Sequence, residues 1–172
     1  MELKQFIREV PDYPKKGINF IDVTTLLKEP AAFNYVVDSI SGFFINKGIT
    51  KIVSLESRGF IIGGAVAYKL NAGFVPIRKK GKLPAETISE KYELEYGSDI
   101  IEMHTDALNQ NDVILIHDDL LATGGTALAA LSLVNKMNVK KVYFSFIVNL
   151  GFLVTPNKNN LSRYEPHILV TY

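Results

Sequence analysis

The sequence predicts an α/β fold: a central, mostly parallel twisted sheet flanked by helices. Two observations carry this. Short runs of β-branched and apolar residues are continuous rather than alternating, as in strands buried on both faces. Each of two such runs is followed by a turn, a helical stretch and another strand candidate, so a β-α-β unit occurs twice. The chain is 172 residues long and 47% hydrophobic, enough for one domain with a core that needs no disulfide or metal.

The elements follow in order. From Phe33 the apolar residues Phe33, Val36, Val37, Ile40 and Phe44 share one helical face, and Pro30 sits where a first-turn proline is tolerated. KIVSL (51–55) reads as a strand, 56–59 as a turn, the stretch to about Leu70 as a helix, and 74–77 as a second strand. The second unit runs from a strand at 113–116, past Gly124 and Gly125, through a helix at 127–137 to a strand at 142–148. Two segments break the alternation: the Pro-rich stretch 11–19 and the polar stretch 78–91, whose continuation YELEYGSDIIEM predicts a hairpin around Gly97 and Ser98. Long connections inside a compact domain are often functional. No repeat, low-complexity tract or linker marks a domain boundary, so residues 1–172 read as one domain.

Composition excludes several classes. There are no cysteines, hence no disulfides, no thiolate metal site and no cysteine nucleophile, and a reducing cytoplasm suits the chain. The first residues, MELKQFIREVPDYPKKG, contain no apolar signal core. The longest apolar run, FIIGGAVA (60–67), falls far short of the ~20 residues that span a bilayer. A soluble cytoplasmic protein without membrane contact is expected. Nineteen basic against eighteen acidic residues leave a net charge of +1, no footprint for nucleic acid. His104, His117 and His167 lack metal-ligand spacing, so no protein-held metal is expected. His117 reads as a strand-end packing residue.

VILIHDDLLATGGTALAA (113–130) carries the chemistry. An apolar strand leads into Asp118 and Asp119, then into Ala122, Thr123, Gly124, Gly125 and Thr126, then into a helix. Small residues at a helix N-terminus let backbone N–H groups converge on a phosphate, with threonine hydroxyls as further donors. Taken singly, each of these residues is a common turn or cap former. Carboxylates would repel the phosphate. They suit a ribose diol instead, and the positive charge that develops at a glycosyl transition state. The segment has neither the lysine of a G-x-x-x-x-G-K-[ST] loop nor the spacing of G-x-G-x-x-G. In the other βα loop, LESRGF (55–60), Arg58 and Gly59 can hold a second anion through the guanidinium fork and exposed N–H groups.

Segment 113–130 closely resembles the phosphoribosyl pyrophosphate signature of type I phosphoribosyltransferases. Within them, the Ser57-Arg58-Gly59-Phe60 run, the stretch RKKGKLP (78–84) followed by LEYG (94–97), and EMHTDAL (102–108) resemble adenine phosphoribosyltransferases over most of the chain. The resemblance implies transfer of 5-phosphoribosyl from phosphoribosyl pyrophosphate to adenine, giving AMP and pyrophosphate in purine salvage. By position it implies that residues 122–126 hold the 5′-phosphate and that Asp118 and Asp119 hold the ribose hydroxyls, with Asp119 catalytic. Ser57, Arg58, Arg78 and Lys82 would face the pyrophosphate, the last two at a dimer interface. It further implies an N-terminal hood (about 1–27) with Phe20 packed on the purine, and a lid (about 78–97) that shields the reacting centre and carries Glu95 toward the base as a second catalytic residue. Ile21 stands where many members have Arg or Lys, which leaves that position only its backbone for the base. Mg2+ bound mainly through pyrophosphate and ribose oxygens, and a homodimer, complete what the resemblance implies. Two other readings differ in observable ways. A same-fold enzyme for xanthine or hypoxanthine would prefer another base, although the Lys, aromatic and Asp arrangement of the hypoxanthine-guanine enzymes is missing near the C-terminus. A non-catalytic sensor of phosphoribosyl pyrophosphate would bind the donor without turnover.

Overall fold

The computed structural model describes residues 1–93 and 97–172. A seven-stranded sheet with strand order β5-β6-β4-β3-β7-β8-β9 forms its centre. β3 (Lys51–Leu55), β4 (Gly73–Lys79), β7 (Val113–Leu121), β8 (Lys141–Asn149) and β9 (His167–Thr171) are parallel. β6 (Ser98–His104) runs antiparallel to β4 and pairs with β5 (Thr87–Glu93) as a hairpin. The expected mostly parallel sheet is thus present, with the expected hairpin on one edge.

Both β-α-β units are there. α3 (Gly59–Leu70) links β3 to β4, and α4 (Gly125–Lys136) links β7 to β8. The first unit winds one way from β3 and the second the other way from β7, so the chain reverses direction between these two neighbours. At such a switch point the carboxyl ends of the strands diverge and leave a crevice. α2 (Pro30–Phe44) begins with Pro30 in its first turn and buries Val36, Val37, Ile40 and Phe44, the face its periodicity predicts. Together with α3 it covers one sheet face around Ile52, Leu115 and Ile147, while α4 covers the other around Val53, Ile116 and Phe144.

Three boundaries differ from expectation. β7 continues to Leu121 because β8 carries the ladder on through Asp118↔Phe146 and Leu121↔Asn149; the aspartates lie in the strand, not beyond it. β4 includes Arg78 and Lys79, held by antiparallel pairing to Glu102 and Ile101. α4 starts at Gly125, two residues early. The N-terminal segment forms a 3-10 turn (Leu3–Phe6), a small hairpin of β1 (Arg8–Val10) and β2 (Phe20–Asp22), and α1 (Thr24–Leu27). Asp22 ties it together: it accepts from Arg8 Nη2 at 2.5 Å and caps the Thr24 N–H at 2.9 Å. α5 (Pro156–Ser162) and β9 close the chain.

Candidate active site

Three groups of residues meet at the carboxyl ends of β3 and β7. The first is the turn from β7 into α4. Gly124 holds φ +85°, a left-handed conformation that suits glycine, and precedes α4 so that the N–H groups of its first turn face one small hollow. A cavity of about 60 Å3 lies there, lined by Asp118, Ala122, Thr123, Gly124 and Thr126 among others. α5 backs it: a Cβ on Gly124 would sit 3.2 Å from both Leu161 Cδ1 and Lys158 N. Thr155, the N-cap of α5, donates its hydroxyl to the Thr123 carbonyl at 2.6 Å while accepting from Lys158 N. Thr155 was not singled out from the sequence. Its Thr-Pro step does signal a helix start, but nothing local places that start against residue 123.

The second group is the acidic pair. Asp118 Oδ1 accepts from the Asp119 N–H at 2.9 Å. Asp119, on the other strand face and 4% exposed, pairs with Arg58 Nε at 2.7 Å. Gly59 makes this approach possible, since a Cβ there would lie 2.9 Å from Asp118 Oδ1 and 3.2 Å from the His117 carbonyl. Burial, then repulsion from Asp119, raises Asp118 well above the usual carboxylate range; burial raises Asp119 too, against the opposing pull of Arg58. The Arg58 guanidinium favours the charged form of Asp119, the carboxylate it touches. His117, one residue before, is 1% exposed; it packs as expected but in the middle of β7 and not at its end, and burial lowers its imidazole to about 4.

The third group is cationic. Arg58 heads α3 and its guanidinium lies 5.5 Å from the Phe20 ring, which brings the N-terminal hairpin over the same crevice. Phe20 in turn meets Tyr13 edge-on at 5.3 Å. Ile21 points the opposite way, 3% exposed in the core. Ser57 is exposed at the turn. Arg78 and Lys82 converge on Glu56, at 3.3 Å and 2.6 Å. Burial would raise the Glu56 carboxyl, but hydrogen bonds from Lys82, the Lys79 N–H and Arg78 outweigh it and bring it down to about 2. In the sequence Glu56 is only a turn residue; its partners are 22 to 26 positions away, beyond any local signal. Glu95 lies outside the described residues. Among the described residues no group of three or more His, Cys, Asp or Glu could hold a metal ion, and no helix is long and apolar enough to cross a membrane.

A small phosphate cradle, carboxylates suited to a diol, and cations for a second anion occupy one edge. A ribose with a phosphate at one end and a pyrophosphate at the other would engage all three, which defines a phosphoribosyl-transferring class of protein. A family model described as "Phosphoribosyl transferase domain" matches residues 23–165. The adenine phosphoribosyltransferase of Chlorobaculum tepidum is 57% identical over 100% of this chain and 98% of its own length, and that of Brachyspira hyodysenteriae 50% identical over the whole of both. The crystal structure of adenine phosphoribosyltransferase from Thermoanaerobacter pseudethanolicus superposes with a TM-score of 0.91 at 43% identity, covering 99% of this chain and 98% of that one. The Giardia lamblia enzyme complexed with 9-deazaadenine gives 0.92 at 36%, covering 99% and 96%. The chain belongs to the phosphoribosyltransferase family, within its adenine phosphoribosyltransferase branch.

Proposed function

We propose that the chain transfers the 5-phosphoribosyl group of phosphoribosyl pyrophosphate to adenine, yielding AMP and pyrophosphate, a purine-salvage reaction. The observation that carries this reading is the cradle at the start of α4 set directly behind the Asp118–Asp119 pair. In the reaction the anomeric carbon exchanges its bond to a pyrophosphate oxygen for a bond to a ring nitrogen of adenine, and that nitrogen loses its proton. Residues 122–126 hold the 5′-phosphate and thereby fix the sugar. Asp118 and Asp119 take the ribose hydroxyls, and the Asp119 charge faces the cationic centre as the leaving bond stretches. Ser57, Arg58, Arg78 and Lys82 hold the leaving pyrophosphate.

Phe20, beside Arg58, covers the purine face. With the Ile21 side chain in the core, hydrogen bonding to the base from that position falls to the backbone, so a 6-oxopurine is the competitor to examine. Glu95 is assigned to the base by the family resemblance alone. Mg2+ fits this donor set: it prefers hard oxygens, keeps several waters and needs few carboxylates when phosphates supply the rest. When bound, Mg2+ would be held mainly by pyrophosphate and ribose oxygens, with Asp118 and Asp119 holding the ribose hydroxyls, and would offset charge on the leaving pyrophosphate. Exposed Ile61 and Tyr68, seven residues apart on α3, with exposed Phe74 on β4, support a homodimer through this face. A cysteine-free chain suits the cytoplasm.

Incubation with adenine, phosphoribosyl pyrophosphate and Mg2+ tests the reading by chromatography. AMP and pyrophosphate in equal amounts are expected; donor binding without AMP would mean a sensor.

A further inference from the structure

Arg78 and Lys82 are needed for an anion, yet both are turned onto a carboxylate of their own chain. Glu56 follows the last residue of β3, and its backbone N–H is tied to Ile77 O at 3.0 Å. Its Oε1 lies 2.6 Å from Lys82 Nζ and 3.3 Å from Arg78 Nη2, and its Oε2 accepts the Lys79 N–H at 2.9 Å. The Glu56 side chain is 10% exposed, whereas Arg78 and Lys82 keep 35% and 48% of theirs open. A ligand can therefore reach the cations from solvent without disturbing the sheet. Arg58 shows the same arrangement with Asp119. Two carboxylates thus face three cations before any ligand arrives.

A carboxylate satisfies a guanidinium and an ammonium much as a phosphoryl group does, with two oxygens at similar spacing. It therefore positions those donors where a phosphoryl oxygen would need them, and it competes with that oxygen for them. We propose that Glu56 is a positioning residue that stands in for the pyrophosphate: it keeps Arg78 and Lys82 assembled in the free site and weakens the hold on pyrophosphate so that the product leaves. This rests on the assignment of Arg78 and Lys82 to pyrophosphate given above. Glu56 stays ionised throughout the neutral range, so the competition is always present. Ordering the donors in advance lowers the entropy cost of binding, while the charge offsets part of the gain; the site is built for turnover and not for tightest capture.

Glu56→Gln separates the two effects. The amide oxygen can still accept from both cations, the NH2 replaces the oxygen that accepts the Lys79 N–H, and the negative charge is gone. Titration calorimetry of the full chain with Mg2+ and pyrophosphate should show affinity for pyrophosphate rising ~5-fold, the scale of one solvent-accessible charge pair. Product inhibition by pyrophosphate should tighten equally while KM for adenine stays put. A purely structural ion pair would give weaker binding and a lower Tm; unchanged or weakened pyrophosphate affinity overturns the proposal. Lys82→Gln should weaken pyrophosphate by a similar factor. If it does not, the pyrophosphate assignment itself fails and the stand-in falls with it, an outcome distinct from Lys82 mattering and Glu56 not. A measurement on the unaltered protein does not depend on either variant folding: the carboxylate carbon resonance of Glu56 should move when Mg2+–pyrophosphate saturates the site, and a static resonance contradicts displacement.

Discussion

At residue scale, Asp118 and Asp119 have different surroundings because they face opposite sides of β7. Asp119 sits 2.7 Å from Arg58 and is 4% exposed; Asp118 lines the cavity at the start of α4. Asp119→Asn keeps the shape and removes the charge, so kcat should fall by ~10-fold or more with a smaller change in donor affinity; steady-state kinetics with an unchanged kcat would remove Asp119 from the chemistry. His117 gives a second prediction. Its folded pKa of about 4 lies below the ordinary 6.5, so the unfolded chain binds the extra proton between those values. Its contribution is therefore whole above about pH 6.5 and lost as pH falls to about 4, roughly 3 kcal/mol at 1.36 kcal/mol per unit. Urea denaturation of His117→Val across that range should show a flatter slope than the wild-type chain; parallel slopes would contradict the assignment.

The elements explain how much the sequence disclosed. Both β-α-β units, the α2 face, the Gly97 hairpin and the glycine turn into α4 were legible, because periodicity and glycine placement are local signals. The ends of β4 and β7 were not: charged Arg78, Asp118 and Asp119 look like loop residues, and only pairing with β6 and β8 keeps them in the sheet. The seam between cradle and α5 was equally hidden, since Thr155 meets Thr123 across 32 positions. That seam makes Gly124 doubly constrained, by its φ and by Leu161 and Lys158 behind it. Gly124→Ala should cost about 1–3 kcal/mol in urea denaturation and raise KM for phosphoribosyl pyrophosphate; an unaltered variant would mean the turn can relax. In the N-terminal hairpin, Asp22 is held down to about 2, where burial is outweighed by Arg8 and Thr24. That stability is complete above about pH 4 and lost as pH falls toward 2. Asp22→Asn should abolish that part of the acid transition, monitored by circular dichroism, and leave the neutral fold in place.

At the scale of the whole molecule, the switch between β3 and β7 gathers segments that are distant in the chain. Residues 56–58 and 78–82 supply cations and a carboxylate, 118–126 a carboxylate pair and the small-residue turn into α4, and Phe20 arrives from the N-terminal hairpin. Segment 113–130 identifies the sugar donor. We assign the base to Phe20, the backbone near Ile21 and the lid, and here the sequence was least explicit because the Ile21 side chain is spent on the core and offers the base no polar group. The most direct test is kcat/KM for adenine, hypoxanthine, guanine and xanthine with saturating phosphoribosyl pyrophosphate and Mg2+. Adenine should exceed every 6-oxopurine by ~100-fold or more, the margin expected when a site's buried polar groups match one base and not another; comparable or higher efficiency with hypoxanthine or xanthine would contradict the account.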